Sequence, residues 1–237
     1  QICGQVFRYG VASGLAKYDP SVDLRGALKS PGRSRGHKMI PLDQLPNFLK
    51  ALDAYDGGVR TRLALKLMVL TFARTTELRA ARWSEVENLE GSEPLWRIPA
   101  ERMKMKREHL VPLVAQTVAI LRQLRDLPGS EASPFLFPSP SREGHMSNNT
   151  MLYALYRLGY HGRATVHGFR AMASTLLNER GFRPDVIERQ LAHHEGNAVR
   201  ASYNRAEYLS ERRAMMQYWA DQLDVFAGAN IVAFGTR

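Results

Sequence analysis

Apolar residues recur at helical spacing along most of this chain and alternate strand-fashion in only one stretch. Over residues 1–26, Ile2, Val6, Phe7, Val11 and Leu15 share one helix face. Over residues 41–55, Leu42, Leu45, Leu49 and Leu52 do the same, and Asp56-Gly57-Gly58 ends the pattern. Residues 59–72 carry Leu63, Leu65, Leu67, Met68 and Leu70, which predicts a buried helix. Thr75-Thr76 then marks a fresh helix start, with Thr76 as the cap candidate and Glu77 in the first turn. Residues 95–98 and 109–113 predict two strands joined by a polar, cation-rich turn. Helical spacing returns over 115–127 through Val118, Ile120, Leu121 and Leu124. Residues 128–148 hold four prolines and predict a loop anchored by Phe135 and Phe137. Residues 147–158 predict a helix capped by Ser147 or Asn148. Two short helices follow, separated by the turn Gly181-Phe182-Arg183-Pro184, the second ending at Leu191-Ala192. Over 210–223, Met215, Met216, Trp219 and Leu223 form a face better suited to core packing than to a cofactor. Residues 225–237 predict a Gly-containing tail with a short apolar piece, 231–234, read from its residues as a frayed end. The expected class is mainly α with a small antiparallel β-sheet, that is, α+β.

Composition narrows what such a fold would meet. At 237 residues and 44% hydrophobic content the chain suits one large domain, or one domain plus a fragment. No apolar run reaches membrane-span length, and no signal-peptide pattern is present. The start at Gln1 rather than Met predicts a piece of a longer protein. Cys3, alone, forms no internal disulfide and no cysteine metal site, which suits a reducing cytoplasm. The formal net charge of +10 points to a polyanion, by default nucleic acid; the alternative is a solvated basic surface without a ligand. Cations concentrate in KSPGRSRGHK (Lys29, Arg33, Arg35, His37, Lys38), whose Gly, Ser and Pro content reads as a flexible linker. Glu207, Glu211, Arg212 and Arg213 balance one another near the end of the chain and argue against a disordered basic tail.

Candidate chemistry gathers between Thr165 and Tyr208. His167 and Arg170, three residues apart, would project from one helix face. His193 and His194 follow the second short helix, and Tyr203 lies ten residues after His193. An imidazole, a guanidinium, a second imidazole and a phenol, on helices able to fold back on each other, suit attack on a phosphodiester by a tyrosine. Farther upstream, Arg74 ends a buried segment, where a guanidinium needs an anion. Either Glu77 neutralises it as a structural pair, or it faces an outside anion. Reading His167, His193, His194 and Glu195 as metal ligands finds no HExxH-like spacing to support it.

These residues resemble the active-site region of the tyrosine recombinases, the phage-integrase family. The pattern is H-x-x-R, then L-x-H, then Y. VIERQLAHHEGNAVRASYNRAEYLSERRAMMQYWADQLD, FARTTELRAARWSEVE and WRIPAERMKMKREHLVPL are similar to integrases of prophages, satellite phages and genomic islands, in the same order. The resemblance implies that Arg74 and Arg170 grip the phosphate, with Glu77 supporting Arg74. It places the active-site lysine eight residues before the Pro of V-P-L, at Lys104 rather than Lys106. Tyr203 would attack phosphorus to give a 3′-phosphotyrosine and a free 5′-hydroxyl, with Tyr208 its rival and Tyr218 packed on the last helix. His167 would serve as base, Lys104 would protonate the leaving oxygen, and His193, favoured over His194 on register, would bind the phosphate. The chemistry needs no cofactor: no ATP and no metal. One departure is Ala192, where many relatives have Gly.

The resemblance divides the chain into the last helix of a truncated core-binding domain (1–28), a basic inter-domain linker (29–40), a catalytic domain (41–224) and a tail (225–237) that docks on a neighbouring protomer. The linker would run along DNA, giving Lys29, Arg33, Arg35 and Lys38 phosphates to meet, with Lys106 and Arg107 contacting DNA from the hairpin. The implied partner is double-stranded DNA at attachment sites, bound as a homotetramer by the full-length protein, in the bacterial cytoplasm on the nucleoid. The implied function is a site-specific DNA recombinase that integrates or excises a mobile element. Alternatives are a DNA-binding module of the same fold without catalysis and a type IB topoisomerase-like enzyme.

Overall fold

The computed structural model describes residues 2–24, 26–27, 38–193 and 207–228. It divides into two compact units, Gln1–Gly36 and His37–Arg237. The first contains α1 (Ile2–Ala12), which stops before Gly14, in the left-handed region at φ 72°. The helical pattern read as far as Leu15 therefore ends a turn earlier. Ile2, Val6, Phe7 and Val11 are exposed along α1. Asp19 ties the following turn, accepting from the Ser21 amide at 2.9 Å and hydroxyl at 2.6 Å.

The second unit is built on a helical core flanked by a small sheet. A 3₁₀ turn, Leu42–Gln44, leads into α2 (Leu45–Asp53), whose Leu45, Phe48, Leu49 and Leu52 are buried. Helix α3 (Val59–Thr71) is buried along most of its length, as its leucine content predicts. It ends at Phe72, whose left-handed backbone (φ 39°) turns the chain into α4 (Thr75–Arg79). The cap of α4 is Arg74 and not Thr76: Glu77 reaches back to accept the Arg74 amide at 2.7 Å, satisfying a donor at the helix start.

The sheet has three antiparallel strands in sequence order: β1 (Val86–Glu87), β2 (Leu95–Ile98) and β3 (His109–Pro112). Trp96 faces Val111, and Ile98 faces His109. Strand β1 is too short for its alternation to show in the sequence. Helix α5 (Ala115–Arg125) packs on α3. In the 128–148 loop Phe137 is fully buried, while Phe135 is half-buried under the Arg82 guanidinium, 4.9 Å away. The helix expected over 147–158 is shorter, α6 (Thr150–Leu155), and continues as a π turn, Tyr156–Tyr160, containing Gly159 at φ 87°.

Three helices complete the unit: α7 (Gly168–Glu179), α8 (Pro184–Gln190) and α9 (Leu209–Gly228). Met215, Met216 and Trp219 of α9 are fully buried, as expected, and α9 packs on α2, α3, α7, α8 and β3. The Trp219 indole donates to the Val69 carbonyl at 2.9 Å, so α9 is pinned to the last turn of α3. The last helix extends beyond the predicted Leu223 because Phe226 still finds the core (6% exposed). The apolar piece 231–234 lies outside the described residues.

Candidate active site

The short helix α8 ends in a Schellman motif, and the candidate site is assembled on its free carbonyls. The His193 amide bonds the Glu188 carbonyl at 3.0 Å, and the Ala192 amide bonds the Arg189 carbonyl at 3.1 Å. Ala192 takes the left-handed position (φ 49°) that glycine fills most easily, which is the physical content of the Ala-for-Gly departure. A helix end leaves its last carbonyls without partners and concentrates negative potential there. Here three successive carbonyls are met by cationic or polar side chains from three other elements. The Leu191 carbonyl accepts from Arg170 Nη2 at 2.5 Å, and the Ala192 carbonyl accepts from Arg74 Nη2 at 3.0 Å. His109 of β3 bonds the Gln190 backbone, and because that bond favours the protonated ring, the acceptor is the carbonyl.

Each arginine has a second anchor. Arg74 Nη1 pairs with Glu77 Oε1 at 2.8 Å, and Glu77 is 2% exposed. The Arg74–Glu77 structural pair left open by the sequence thus exists, while Arg74 itself stays partly open to solvent. Arg170, 4% exposed, donates through Nη1 to the Phe72 carbonyl at 2.6 Å. The left-handed turn at Phe72 aims that carbonyl at α7. Burial, with Arg74 alongside, pulls the Arg170 guanidinium down to about 10, so it remains charged at neutral pH. Two guanidiniums held side by side form an anion-receptive surface that Glu77 and Glu188 only partly offset.

His193 is half-exposed beside this pair. Its Nδ1 meets Glu188 Oε2 at 2.7 Å, and its Nε2 lies 3.4 Å from Arg170 Nη2. Glu188 sits one turn back on α8 and holds Nδ1, leaving Nε2 toward the arginines; the sequence reading missed this partner. His167 is exposed at the boundary preceding α7, one turn before buried Arg170. The close approach of Gly168 to the Lys38 carbonyl positions this boundary: a Cβ there would lie 2.2 Å from that oxygen. Lys38 is engaged locally, its ammonium donating to the Gly162 carbonyl at 2.6 Å.

Among the described residues, no hydrogen bond or ion pair joins Lys104, Lys106 or Arg107 to this cluster. Lys104 and Arg107 are exposed in the β2–β3 connection, and among the described residues Lys104 makes no hydrogen bond or ion pair. Lys106 takes a left-handed backbone (φ 53°), its ammonium on the Glu101 carbonyl at 3.1 Å. Tyr203, His194, Lys29, Arg33, Arg35 and His37 lie outside the described residues. The rival Tyr208 is half-buried, with the Arg183 guanidinium 5.1 Å from its ring centre. Tyr218 packs against Phe182, ring centres 5.2 Å apart.

Two buried polar groups behind the arginines were not singled out from sequence. His109 is 5% exposed; burial first, then the Arg212, Arg170 and Arg74 guanidiniums, push its pKa down to about 3, so its ring is neutral near pH 7. Arg212, read only as one of four balanced charges, is fully buried in α9. The signals were present: His109 shares the strand phase of inward Val111, and Arg212 precedes Met215, Met216 and Trp219 at helical spacing.

Residues 38–209 match the family model described as the phage integrase family. The chain is 44% identical to the integrase of Enterobacteria phage P4, over 93% of this chain and 53% of that protein. It thus spans about half the length of the curated relatives it matches. Its fold resembles that of an integrase from mycobacterium phage Brujita (TM-score 0.57, 18% identity, 96% of this chain and 75% of that one). It also resembles a lambda integrase solved as a tetramer bound to a Holliday junction (TM-score 0.56, 17% identity, 82% of this chain and 57% of that one). Among the described residues, no helix is long and apolar enough to cross a membrane.

Proposed function

The chain belongs to the phage integrase family, and on that premise we propose that it carries the strand-cutting and rejoining centre of a site-specific DNA recombinase. The observation that carries the proposal is the convergence of Arg74 and Arg170 on the end of α8 beside His193. A phosphodiester monoanion repels nucleophiles, and its transition state gathers further charge on the non-bridging oxygens. Arg74 and Arg170 take up that charge with N–H groups not committed to carbonyls or to Glu77. Because both guanidiniums are already fixed, little reorganisation is needed, and losing one such donor costs about 10²–10³ in rate.

Tyr203 supplies the phenolic oxygen. Its bond to phosphorus forms as the bond to the 5′-oxygen breaks, giving a 3′-phosphotyrosine and a 5′-hydroxyl. His167 accepts the phenolic proton, Lys104 protonates the leaving 5′-oxygen, and His193, oriented by Glu188, binds the phosphate. The phosphotyrosine conserves the energy of the broken bond, so a 5′-hydroxyl of a second duplex attacks it and releases Tyr203 without ATP or a metal ion. The engagement of Tyr208 with Arg183 supports Tyr203 as the nucleophile. The full-length protein acts on double-stranded attachment sites as a homotetramer, in the bacterial cytoplasm on nucleoid DNA. Residues 1–28 close an upstream core-binding domain, 29–40 form the linker whose Lys29, Arg33, Arg35 and Lys38 follow the DNA backbone, 41–224 form the catalytic domain, and 225–237 meet a neighbouring protomer. Lys106 and Arg107 contact DNA from the hairpin.

Trapping on a nicked suicide duplex tests this reading, using the full-length protein, its cognate site and EDTA. Wild type should form a covalent protein–DNA adduct that Tyr203→Phe abolishes. An adduct that survives in Tyr203→Phe would transfer the role to Tyr208. A wild type that binds the site yet forms no adduct would refute the catalytic assignment.

A further inference from the structure

Arg212 occupies a place that stability alone does not explain. Its side chain is fully buried in α9, yet its close acceptors are mostly neutral. Nε and Nη2 donate to the Gln190 side-chain oxygen at 3.0 and 2.8 Å, Nη2 also donates to the Leu110 carbonyl, and Nη1 donates to the Glu207 carbonyl at 3.3 Å. The Glu207 carboxylate lies farther off, at 3.6 Å, and is itself partly exposed. Buried guanidiniums are expensive, and a buried charged group replaced together with its polar partners by apolar side chains often leaves the fold no less stable. Met215 and Met216, three and four residues on, are buried in the same helix.

The connections that Arg212 makes are specific. Gln190 is the last residue of α8, and its own carbonyl is the one His109 holds, directly before the Leu191 and Ala192 carbonyls that orient Arg170 and Arg74. Glu207 lies at the other end of the segment 194–206, within which Tyr203 falls. One guanidinium therefore links the end of α8 and Glu207, just before α9, to β3.

We propose that Arg212, acting through Gln190 and the Glu207 carbonyl, is a positioning residue for the transesterification. It fixes, through the end of α8, the carbonyls that aim Arg74 and Arg170. The inference rests on the function proposed above. Misplacing reacting groups by about 1 Å costs on the order of 10² in rate even when the change lies away from the chemistry.

The test measures DNA affinity, together with the rate constant and amplitude of single-turnover adduct formation, for full-length wild type, Arg212→Met, Arg212→Lys, Gln190→Met and Arg212→Met/Gln190→Met. Arg212→Met leaves the Gln190, Leu110 and Glu207 oxygens without their donor and should melt below wild type, yet bind the site within a few-fold and form adduct about 10²-fold more slowly at undiminished amplitude. Gln190→Met should match it, and the double variant should be no slower than either single one, since both break one linkage. Damage to folding alone would instead lower the amplitude and leave the rate constant unchanged. If Arg212→Met fails to fold, Arg212→Lys decides: it keeps the charge and loses the fork, so it should still slow the step about 10-fold. Wild-type rate constants in the folded variants, or additive losses in the double variant, would overturn the proposal. Absence of adduct from wild type would instead overturn the recombinase reading and this inference with it.

Discussion

His109 makes the fold sensitive to acid by an amount that follows from its surroundings. The unfolded imidazole titrates near its ordinary value of 6.5, whereas in the native state burial and three guanidiniums hold it near 3. Between those values the unfolded chain binds a proton that the native protein refuses, so stability rises with pH and falls as pH drops below 6.5. At pH 7 the effect is negligible; at pH 5 it amounts to about 2 kcal/mol of lost stability, and it grows until pH nears 3. His109→Gln keeps an N–H able to reach the Gln190 carbonyl but carries no titrating group. Urea unfolding of wild type and His109→Gln at pH 7 and pH 5 isolates the contribution, because carboxylates and other histidines are common to both and cancel in the difference. Wild type should lose about 2 kcal/mol more than the variant between the two pH values. Losses equal to within about 0.5 kcal/mol would show that His109 accepts a proton in the folded state, and the electrostatic picture behind the arginines would fail.

Three further outcomes follow from local geometry. Ala192→Gly relieves a left-handed alanine, partly offset by glycine's greater freedom when unfolded, and should raise thermal stability by about 0.5 kcal/mol without slowing adduct formation. Gly168→Ala drives a methyl into the Lys38 carbonyl and should destabilise by about 3 kcal/mol in denaturant titration, since backbone on both sides resists moving. Glu77→Gln leaves two neighbouring guanidiniums less compensated and Arg74 less firmly aimed. Single-turnover adduct formation should fall about 10²-fold, with a much smaller change in DNA affinity.

Local patterns in the sequence were enough to place the helices and the hairpin and to name the candidate site residues. Those properties are local: leucine spacing in α3, alternation in β2 and β3, and the H-x-x-R and L-x-H patterns need no knowledge of distant neighbours. It also exposed Ala192 as a departure, and the left-handed backbone there gives the reason a glycine fits. Which partners the charged and polar residues meet depends on contacts distant in the sequence. Arg74 reaches the Ala192 carbonyl across 118 positions, and Arg170 reaches the Phe72 carbonyl across 98. Arg212, read from sequence only as one of four balanced charges, lies buried because α9 packs on β3 and α8. His109 looks like one more polar residue at a strand end until the arginines close around it. Charge and burial conflict within a local window, and only long-range packing, which supplies or withholds partners, resolves which of the two prevails.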